Sequence, residues 1–561
     1  MSHQIGKKTY LAEFLFKAFI FVFLSVTTLS LYAVEPENYF TYLGGDETDG
    51  GIAIARDSLD ALYITGDTNS AQFFGFDETG RTTDNQSCYV ARIDIDSPGN
   101  NYFFQFAGNG RDICRDIAVD DEFNVYITGE TLSTDLPMTT SKTHSGDWDA
   151  FLIKLDSVGN LVYASYIGGE NIDFGHGIAI KENDNVFIVG ETWSQNFPTT
   201  SNGFLTNCKN FDICDGDKSN AFLIQIDTSS TKQLVNRYST YFGGDDQDKA
   251  HSVAIDSDGI VHIGGETSSS DFPLVNPYSN QKKGTFDGFV AKFDIIKNAS
   301  NSLIFSTLLG GNGDDSVNAI TTDKFNNSVV SGETSSDDFP TTTNAFSSRC
   351  ATGIRFCNSS GQKQHIDGFV SLLKTIGNIE LSYSTLLGGS ENDSAHSVTI
   401  NESSLITVSG STFSSDFPIT NNAYDDTCND GSSCKNFSDG FIFRVDLNKN
   451  STDSLVFSSF FGGNDNDNIT DAYEDFDNSA YYFTGKTASS NLATDDALVS
   501  QIDNANAYLR KLRLFDDGQW IDNRPPPANS AKKSFNGLFF IYILMLFLLS
   551  SRLTKYFSKL K

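Results

Sequence analysis

The sequence predicts an all-β protein: a seven-bladed β-propeller of four-stranded antiparallel blades. Two observations carry this. A unit of roughly 60–80 residues recurs seven times, and each unit holds four short apolar segments bounded by Asp, Asn, Ser or Gly turns. Composition agrees, with 46 glycines, 47 phenylalanines and 21 tyrosines against 3 methionines, a balance that suits short strands and turns. Segments of about five to seven residues are too short for a transmembrane barrel, whose strands need about 9–11.

In chain order, the N-terminus reads as a secretory signal over residues 1–33. Lys7 and Lys8 precede an apolar run from Ala18 to Leu31, and cleavage is expected after Ala33. The repeat region is predicted over 34–515 and is clearest from Tyr238 to Pro273, completed by Asp287–Asp294. A glycine pair opens each unit: Gly44-Gly45, Gly168-Gly169, Gly243-Gly244, Gly310-Gly311, Gly388-Gly389 and Gly462-Gly463, with Ala107-Gly108 in the second unit. A short strand of the type SVAID follows, then one ending in Gly-x-Thr, then one of the type DGFVAKFD. A Tyr-Ser-Thr strand leads into the next pair. By analogy with other propeller repeats, this order runs from the channel to the rim. The chain then starts on an outermost strand, Tyr39–Leu43, and its last repeat is expected to end on a third strand, Ala497–Asp503. Tyr39–Leu43 would complete the last blade, with Tyr508–Phe515 the rival for that place. The meander puts the loops after second and fourth strands on one face. That looped face is the candidate functional face, because binding residues favour long loops on a rigid scaffold.

Beyond the repeats, residues 516–536 contain Pro525-Pro526-Pro527 and read as a stiff linker. Residues 537–553, with the apolar run Leu538–Leu549, read as a transmembrane or sorting helix. Residues 554–561 form a basic tail that would stay cytoplasmic. The chain carries a formal charge of −33 although both ends are basic, so its body is strongly acidic. Such a body repels nucleic acid. The expected location is exported, at the cell surface or in the periplasm, anchored to the membrane by the C-terminus.

Eight cysteines agree with export. Cys208 with Cys214, Cys350 with Cys357 and Cys428 with Cys434 each fall between a Phe-Pro segment and the next strand. They read as local disulfides, leaving Cys88 to pair with Cys114. Zinc is the rival reading, but the loops lack the ligands that would complete a tetrahedral site.

The pattern Tyr-Ser-Thr-Leu-Leu-Gly-Gly (Tyr383–Gly389), Gly-Glu-Thr-Ser-Ser-Asp-Asp-Phe-Pro-Thr-Thr (Gly332–Thr342) and Asp-Gly-Phe-Val (Asp367–Val370) resembles the bacterial SBBP repeat, a seven-bladed β-propeller family of exported proteins. The resemblance covers roughly residues 39–503 and implies an extracytoplasmic propeller, with no settled activity attached.

The sharpest polar signal is an aspartate separated from each glycine pair by three residues: Asp49, Asp112, Asp173, Asp248, Asp315, Asp393 and Asp467. Carboxylates with Asn, Ser and backbone oxygens nearby are calcium ligands. The same residues can instead accept backbone N–H bonds and fix the turn, and their presence in every unit favours that role. Three extend to Asp-x-x-His, at His176, His251 and His396. They lie in the third, fourth and sixth blades, so a shared metal is disfavoured and each histidine is expected to bond within its own turn. Glu130, Glu191, Glu266 and Glu333 of the Gly-Glu-Thr segments raise glycoside chemistry, but repetition favours a strand-end role. Trp148 and Trp193 lie near the looped face, where they can stack on a sugar or pack between blades. No nucleophile elbow, phosphate loop or zincin motif occurs. The expectation is a binding or adhesion scaffold for an extracellular protein or glycan, not an enzyme, and without a cofactor other than a possible structural calcium. A glycan- or peptide-processing enzyme and a calcium-stabilised envelope protein are the alternatives.

Overall fold

The computed structural model describes residues 39–513, apart from 71–72, 74–84, 96, 209–217, 231, 349–364, 376, 378, 432–433, 435–436, 477–478, 493–496 and 502–503. The signal segment with its cleavage site, the linker, the apolar helix and the basic tail lie outside the described residues. Among those described, no helix is long and apolar enough to cross a membrane.

The chain opens with β1 (Tyr39–Leu43). Blade 1 follows as β2 (Asp49–Arg56), β3 (Leu62–Thr68), β4 (Ser87–Ile93) and β5 (Tyr102–Phe106). Blade 2 is β6 (Asp112–Val119), β7 (Val125–Thr131), β8 (Asp149–Leu155) and β9 (Leu161–Ile167). Blade 3 is β10 (Asp173–Ile180), β11 (Asn185–Thr192), β12 (Asn220–Asp227) and β13 (Asn236–Phe242). Blade 4 is β14 (Asp248–Ile255), β15 (Val261–Thr267), β16 (Asp287–Phe293) and β17 (Leu303–Leu309). Blade 5 is β18 (Asp315–Thr322), β19 (Ser328–Thr334), β20 (Asp367–Lys374) and β21 (Glu380–Leu387). Blade 6 is β22 (Asp393–Ile400), β23 (Leu405–Thr412), β24 (Asp439–Asp446) and β25 (Leu455–Phe461). The last blade contains β26 (Asp471–Asp475), β27 (Ala480–Thr487) and β28 (Asn506–Arg513), and β1 pairs antiparallel with β28 to complete it. The seven four-stranded antiparallel sheets are the seven predicted blades.

The N-terminal strand therefore closes the ring, but the third strand of blade 7 is corrected. It is β28, not Ala497–Asp503. Thr487 faces Asn506 in the register in which Thr267 faces Asp287, so Asn506 holds the place of the usual strand-opening aspartate. Within the 497–503 stretch, Val499 lies along the outer edge of β1, accepting the Tyr42 N–H at 3.2 Å and donating its own N–H to Thr41 Oγ1 at 2.9 Å. The residues just after the Phe-Pro segments do the same elsewhere: the N–H groups of Thr200, Thr342 and Thr420 donate to the carbonyls of Ser239, Ser384 and Ser458 on the outermost strands of blades 3, 5 and 6. Covering these edges removes a template for intermolecular pairing.

The core lies between the blades. Seven buried hydrophobic clusters among the described residues each draw side chains from two neighbouring sheets, one cluster per junction. The Phe-Pro phenylalanine packs on the phenylalanine of Asp-Gly-Phe or its counterpart, with ring centroids 4.5 Å apart for Phe197/Phe222, 4.8 Å for Phe272/Phe289 and 4.5 Å for Phe339/Phe369.

Of the four predicted disulfides, two are described in full. Cys88 on β4 is bonded to Cys114 on β6, joining blades 1 and 2 with Cα atoms 5.0 Å apart. Cys428 and Cys434 are bonded within one loop. Cys208 is also disulfide-bonded, and its predicted partner Cys214 lies outside the described residues. The predicted bond between Cys350 and Cys357 is not among the described disulfides, because Cys350 and Cys357 both lie within the undescribed stretch 349–364.

The seam between blades 7 and 1 is closed by side chains as well as by β1. Asp471 Oδ2 accepts the Ile54 N–H at 2.9 Å, and Arg56 pairs with Asp475 at 2.7 Å. Tyr39 lies opposite Lys511, and Arg513 lies opposite Ala480 beside the short β26–β27 turn. The chain thus enters and leaves the ring side by side, on the face opposite the long loops.

Candidate functional site

The seven aspartates stand at the first residue of each inner strand, or four residues ahead of it in blade 7. Oδ2 of each accepts the N–H of the preceding glycine at 2.7–2.9 Å: Gly45, Gly108, Gly169, Gly244, Gly311, Gly389 and Gly463. The same oxygen accepts a serine hydroxyl, from Ser70, Ser133, Ser194, Ser269, Ser336, Ser414 and Ser489, at 2.8–3.0 Å. Oδ1 accepts the Gly-x-Thr hydroxyl of Thr68, Thr131, Thr267, Thr334 and Thr412. Thr192 and Thr487 stand opposite Asp173 and Asp467 in the same register. Each serine N–H in turn bonds the threonine hydroxyl two residues before it, as Ser269 does to Thr267 at 3.0 Å.

The network accounts for most of the repeated motif. It also explains the glycines: a Cβ on Gly168 would run into the carboxylates of both Asp149 and Asp173. Burial raises these carboxyls above the ordinary aspartate range, to about 7 at Asp248, Asp315 and Asp393, although the hydroxyl and N–H donors pull the other way.

The next feature is a β-bulge. In blades 1 to 6 the inner strand slips register two residues past the aspartate, so the third residue along is unpaired and turns into the channel. These residues are Ile52, Arg115, His176, His251, Asn318 and His396, and Thr470 holds the corresponding position in blade 7. All seven line one channel cavity of about 420 Å³. Four of them latch blades together: each donates to the carbonyl one residue earlier on the next inner strand. The contacts are His176 Nδ1 to Ala250 O (3.2 Å), Asn318 Nδ2 to Ala395 O (3.1 Å), His396 Nδ1 to Ile469 O (2.8 Å) and Thr470 Oγ1 to Gly51 O (2.8 Å). The expectation that each histidine bonds within its own turn is therefore corrected for His176 and His396, which the bulge aims across the junction, while His251 makes no such bond and faces Glu266 of its own blade. Asp116 and Asp471, one residue further on, latch in the same sense, accepting the N–H groups of Ile178 and Ile54.

Three members of the ring do not latch: Ile52, Arg115 and His251. Arg115 forms an ion pair with Glu130. His251 stacks on His176 with centroids 5.7 Å apart and planes 8° from parallel. Its buried Nε2 has no hydrogen-bond partner and lies 4.0 Å from Glu266 Oε2. Burial raises Glu191 to about 7, whereas His251 and Lys249 overcome burial and hold Glu266 at about 2. Burial also holds His176 well below the ordinary histidine value.

From His176 a run of rings leads out to the looped face. Phe174 stacks on His176 at 6.2 Å, and Trp148 and Trp193 meet Phe174 edge-on at 5.9 and 5.7 Å. All three are half-buried, and the Arg111 guanidinium lies over Trp148. The positions are equivalent in every blade. Trp148 O accepts the N–H of the next aspartate, as do Gln86, Ser219, Phe286, Ile366, Ser438 and Ala505. At the Trp193 position the other blades have Asn69, Leu132, Ser268, Ser335, Phe413 and Ala488. The two tryptophans, Phe174, Arg111 and Arg115 thus gather on blades 2 and 3, while blades 5 to 7 carry a sparser set that includes Phe413, His396, Glu333 and Lys486. The sequence reading found no polar cluster breaking the sevenfold pattern. The residue three past each aspartate, compared across the repeats, is the signal that would have found it.

The β-propeller repeat family SBBP matches four stretches, residues 101–137, 162–198, 237–273 and 304–340. Each begins on an outermost strand and ends at a Phe/Leu-Pro step, one strand out of phase with the blade. This chain carries SBBP repeats in a seven-bladed propeller. The offset of its SBBP units leaves the first outermost strand, β1, to complete the last blade. Regulatory protein FlaEY of Caulobacter vibrioides is 24% identical over 175 residues, which is 31% of this chain and 17% of that protein. The chain thus spans less than a fifth of that curated relative. Among solved structures, the extracellular domain of a putative one-component system from B. thetaiotaomicron matches at 11% identity and a TM-score of 0.37, over 85% of this chain and 42% of that one. Chaetomium thermophilum Sqt1 matches at 11% and 0.37, over 84% and 98%.

Proposed function

We propose that this SBBP propeller is an exported scaffold, held at a membrane or cell surface, that binds an extracellular protein or glycan through its looped face. The observation that carries the reading is the asymmetry of the channel mouth. The position after each aspartate bears Phe174 and Lys249 on blades 3 and 4 but Ser316, Ser394 and Asn468 on blades 5 to 7, and both tryptophans of the ring stand beside Phe174. A ring serving architecture alone has no need to differ from blade to blade, whereas a ligand meets one arc. The secretory N-terminus, the disulfides and the acidic body support export. The seven aspartates are read as turn-fixing residues, supported by protein donors that already occupy their oxygens. Calcium would need six to eight oxygens about each ion. The test is a screen of the full chain in detergent against glycan arrays and purified surface proteins, with and without calcium. Failure of every class to bind sinks the scaffold reading, and a melting temperature lowered by EDTA restores calcium.

An extracellular hydrolase is the second reading. It is favoured by Glu191 and Glu266 on neighbouring blades, whose environments push their carboxyls to opposite sides of the ordinary range. Hydrolysis of a glycan or peptide that survives Glu191→Gln would remove it.

A further inference from the structure

Most polar groups in the channel are used by the architecture. His176, Asn318, His396, Thr470, Asp116 and Asp471 each bridge to a neighbouring blade. His251 does not: it occupies a latch position with its Nε2 buried and unpartnered, facing Glu266 across a 4.0 Å gap too wide for a hydrogen bond. A buried donor or acceptor without a partner is costly, so a group that fills the gap is favoured.

Charge narrows what that group is. Arg115 is paired with Glu130, and Lys249 lies 3.1 Å from Glu266. Burial keeps His176 neutral. Among the described residues Arg111 has no carboxylate partner, but it bonds the neutral Gln86 and lies over Trp148, whereas the gap beside His251 is flanked by the Glu266 carboxylate, which disfavours a phosphate there. Its other component is the flat apolar shelf. Arg111 covers Trp148, so Trp193, bordered by the edge of Phe174, is the half-buried indole that remains to take a ligand face. A flat apolar face beside groups that both donate and accept matches a pyranose ring, whose C–H face is apolar and whose rim carries hydroxyls. His251 and His176 also line the channel cavity of about 420 Å³, which the shelf of Trp193 and Phe174 adjoins through the Phe174–His176 stack.

The geometry points to a saccharide site: a neutral sugar residue lies against Trp193 and Phe174 and turns its hydroxyls toward His251, Glu266 and Glu191. This rests on the reading of the looped face as a binding surface and names the chemistry that it binds.

The test uses the full chain, which has three tryptophans, two of them on the shelf, so its emission reports the site directly. The probes are glucose, galactose, N-acetylglucosamine and their short oligomers, with glucose 6-phosphate and choline as charged controls, read by fluorescence and calorimetry. At least one neutral saccharide is expected to bind saturably. Trp193→Ala and His251→Ala should each weaken it roughly tenfold or more. Trp193→Phe, which keeps a ring in place, should weaken it less, and Phe413→Ala, the exposed blade 6 counterpart, should leave it unchanged. Variants are compared after their melting curves confirm folding. Three results overturn the assignment: no neutral saccharide binds, a charged control alone binds, or Trp193→Ala and Phe413→Ala weaken binding equally. If a purified surface protein binds the looped face while every saccharide fails, the sugar site falls and the scaffold reading stands.

Discussion

Within each of the first six inner strands, two residues three positions apart have opposite histories. Asp248 opens its strand and has the same glycine, serine and threonine partners as its six counterparts. His251 turns into the channel, where its counterparts are Ile52, Arg115, His176, Asn318, His396 and Thr470. The aspartate is enclosed by groups of its own repeat, so a change there is felt as lost hydrogen bonds. The bulge residue faces open space and the next blade, so it is free to vary wherever it is not needed as a latch. Repetition marks what each blade needs to fold, and variation at the bulge marks what distinguishes this chain.

The largest expected effect breaks the constant half of that contrast. Asp393→Ala strands the Gly389 N–H and the hydroxyls of Thr412 and Ser414. It should cost about 3–5 kcal/mol in urea unfolding, and a loss below about 1 kcal/mol would mean that the turn is held by something else. Next is the covalent tie between blades 1 and 2: replacing Cys88 and Cys114 with serine should cost about 3 kcal/mol in the chain-entropy model, read in the same way.

A pH effect comes third. Burial and the neighbouring Asp471 raise Asp116 to about 8 from an ordinary 3.8. A carboxyl raised in the folded state stabilises it fully below the unfolded value, and that contribution is lost as pH climbs through about 8. Melting temperature should therefore fall between pH 5 and pH 9, and Asp116→Asn should flatten the fall. Equal slopes in both proteins would show that Asp116 does not titrate there.

The smallest effects sharpen the variable half. His396→Ala removes a latch and should cost about 1 kcal/mol. His251→Ala removes no latch and should cost less than His396→Ala, and an equal or larger loss would make it structural after all.

Much of this fold was legible because each motif residue answers to a local need: Asp248 to three donors, Phe272 to Phe289, and the threonines after Phe-Pro to an open strand edge. Blade 7 was misread where that chemistry lapses. Asn506 replaces the strand-opening aspartate and no Gly-Phe follows it, while Ala497–Asp503 imitates a third strand in composition. The channel was illegible for another reason. A bulge reverses the side to which one residue points, and no single repeat announces it. The link from His176 to Ala250 spans 74 positions, and periodicity within a unit carries no trace of a bond between units.

The joint at blade 7 has a mechanical consequence. Tyr39 and Arg513 lie on paired neighbouring strands, so a pull applied at Arg513 acts on a strand gripped on both flanks, by β27 and β1. Drawing β28 out requires two ladders to yield together, where a rim strand would peel from one.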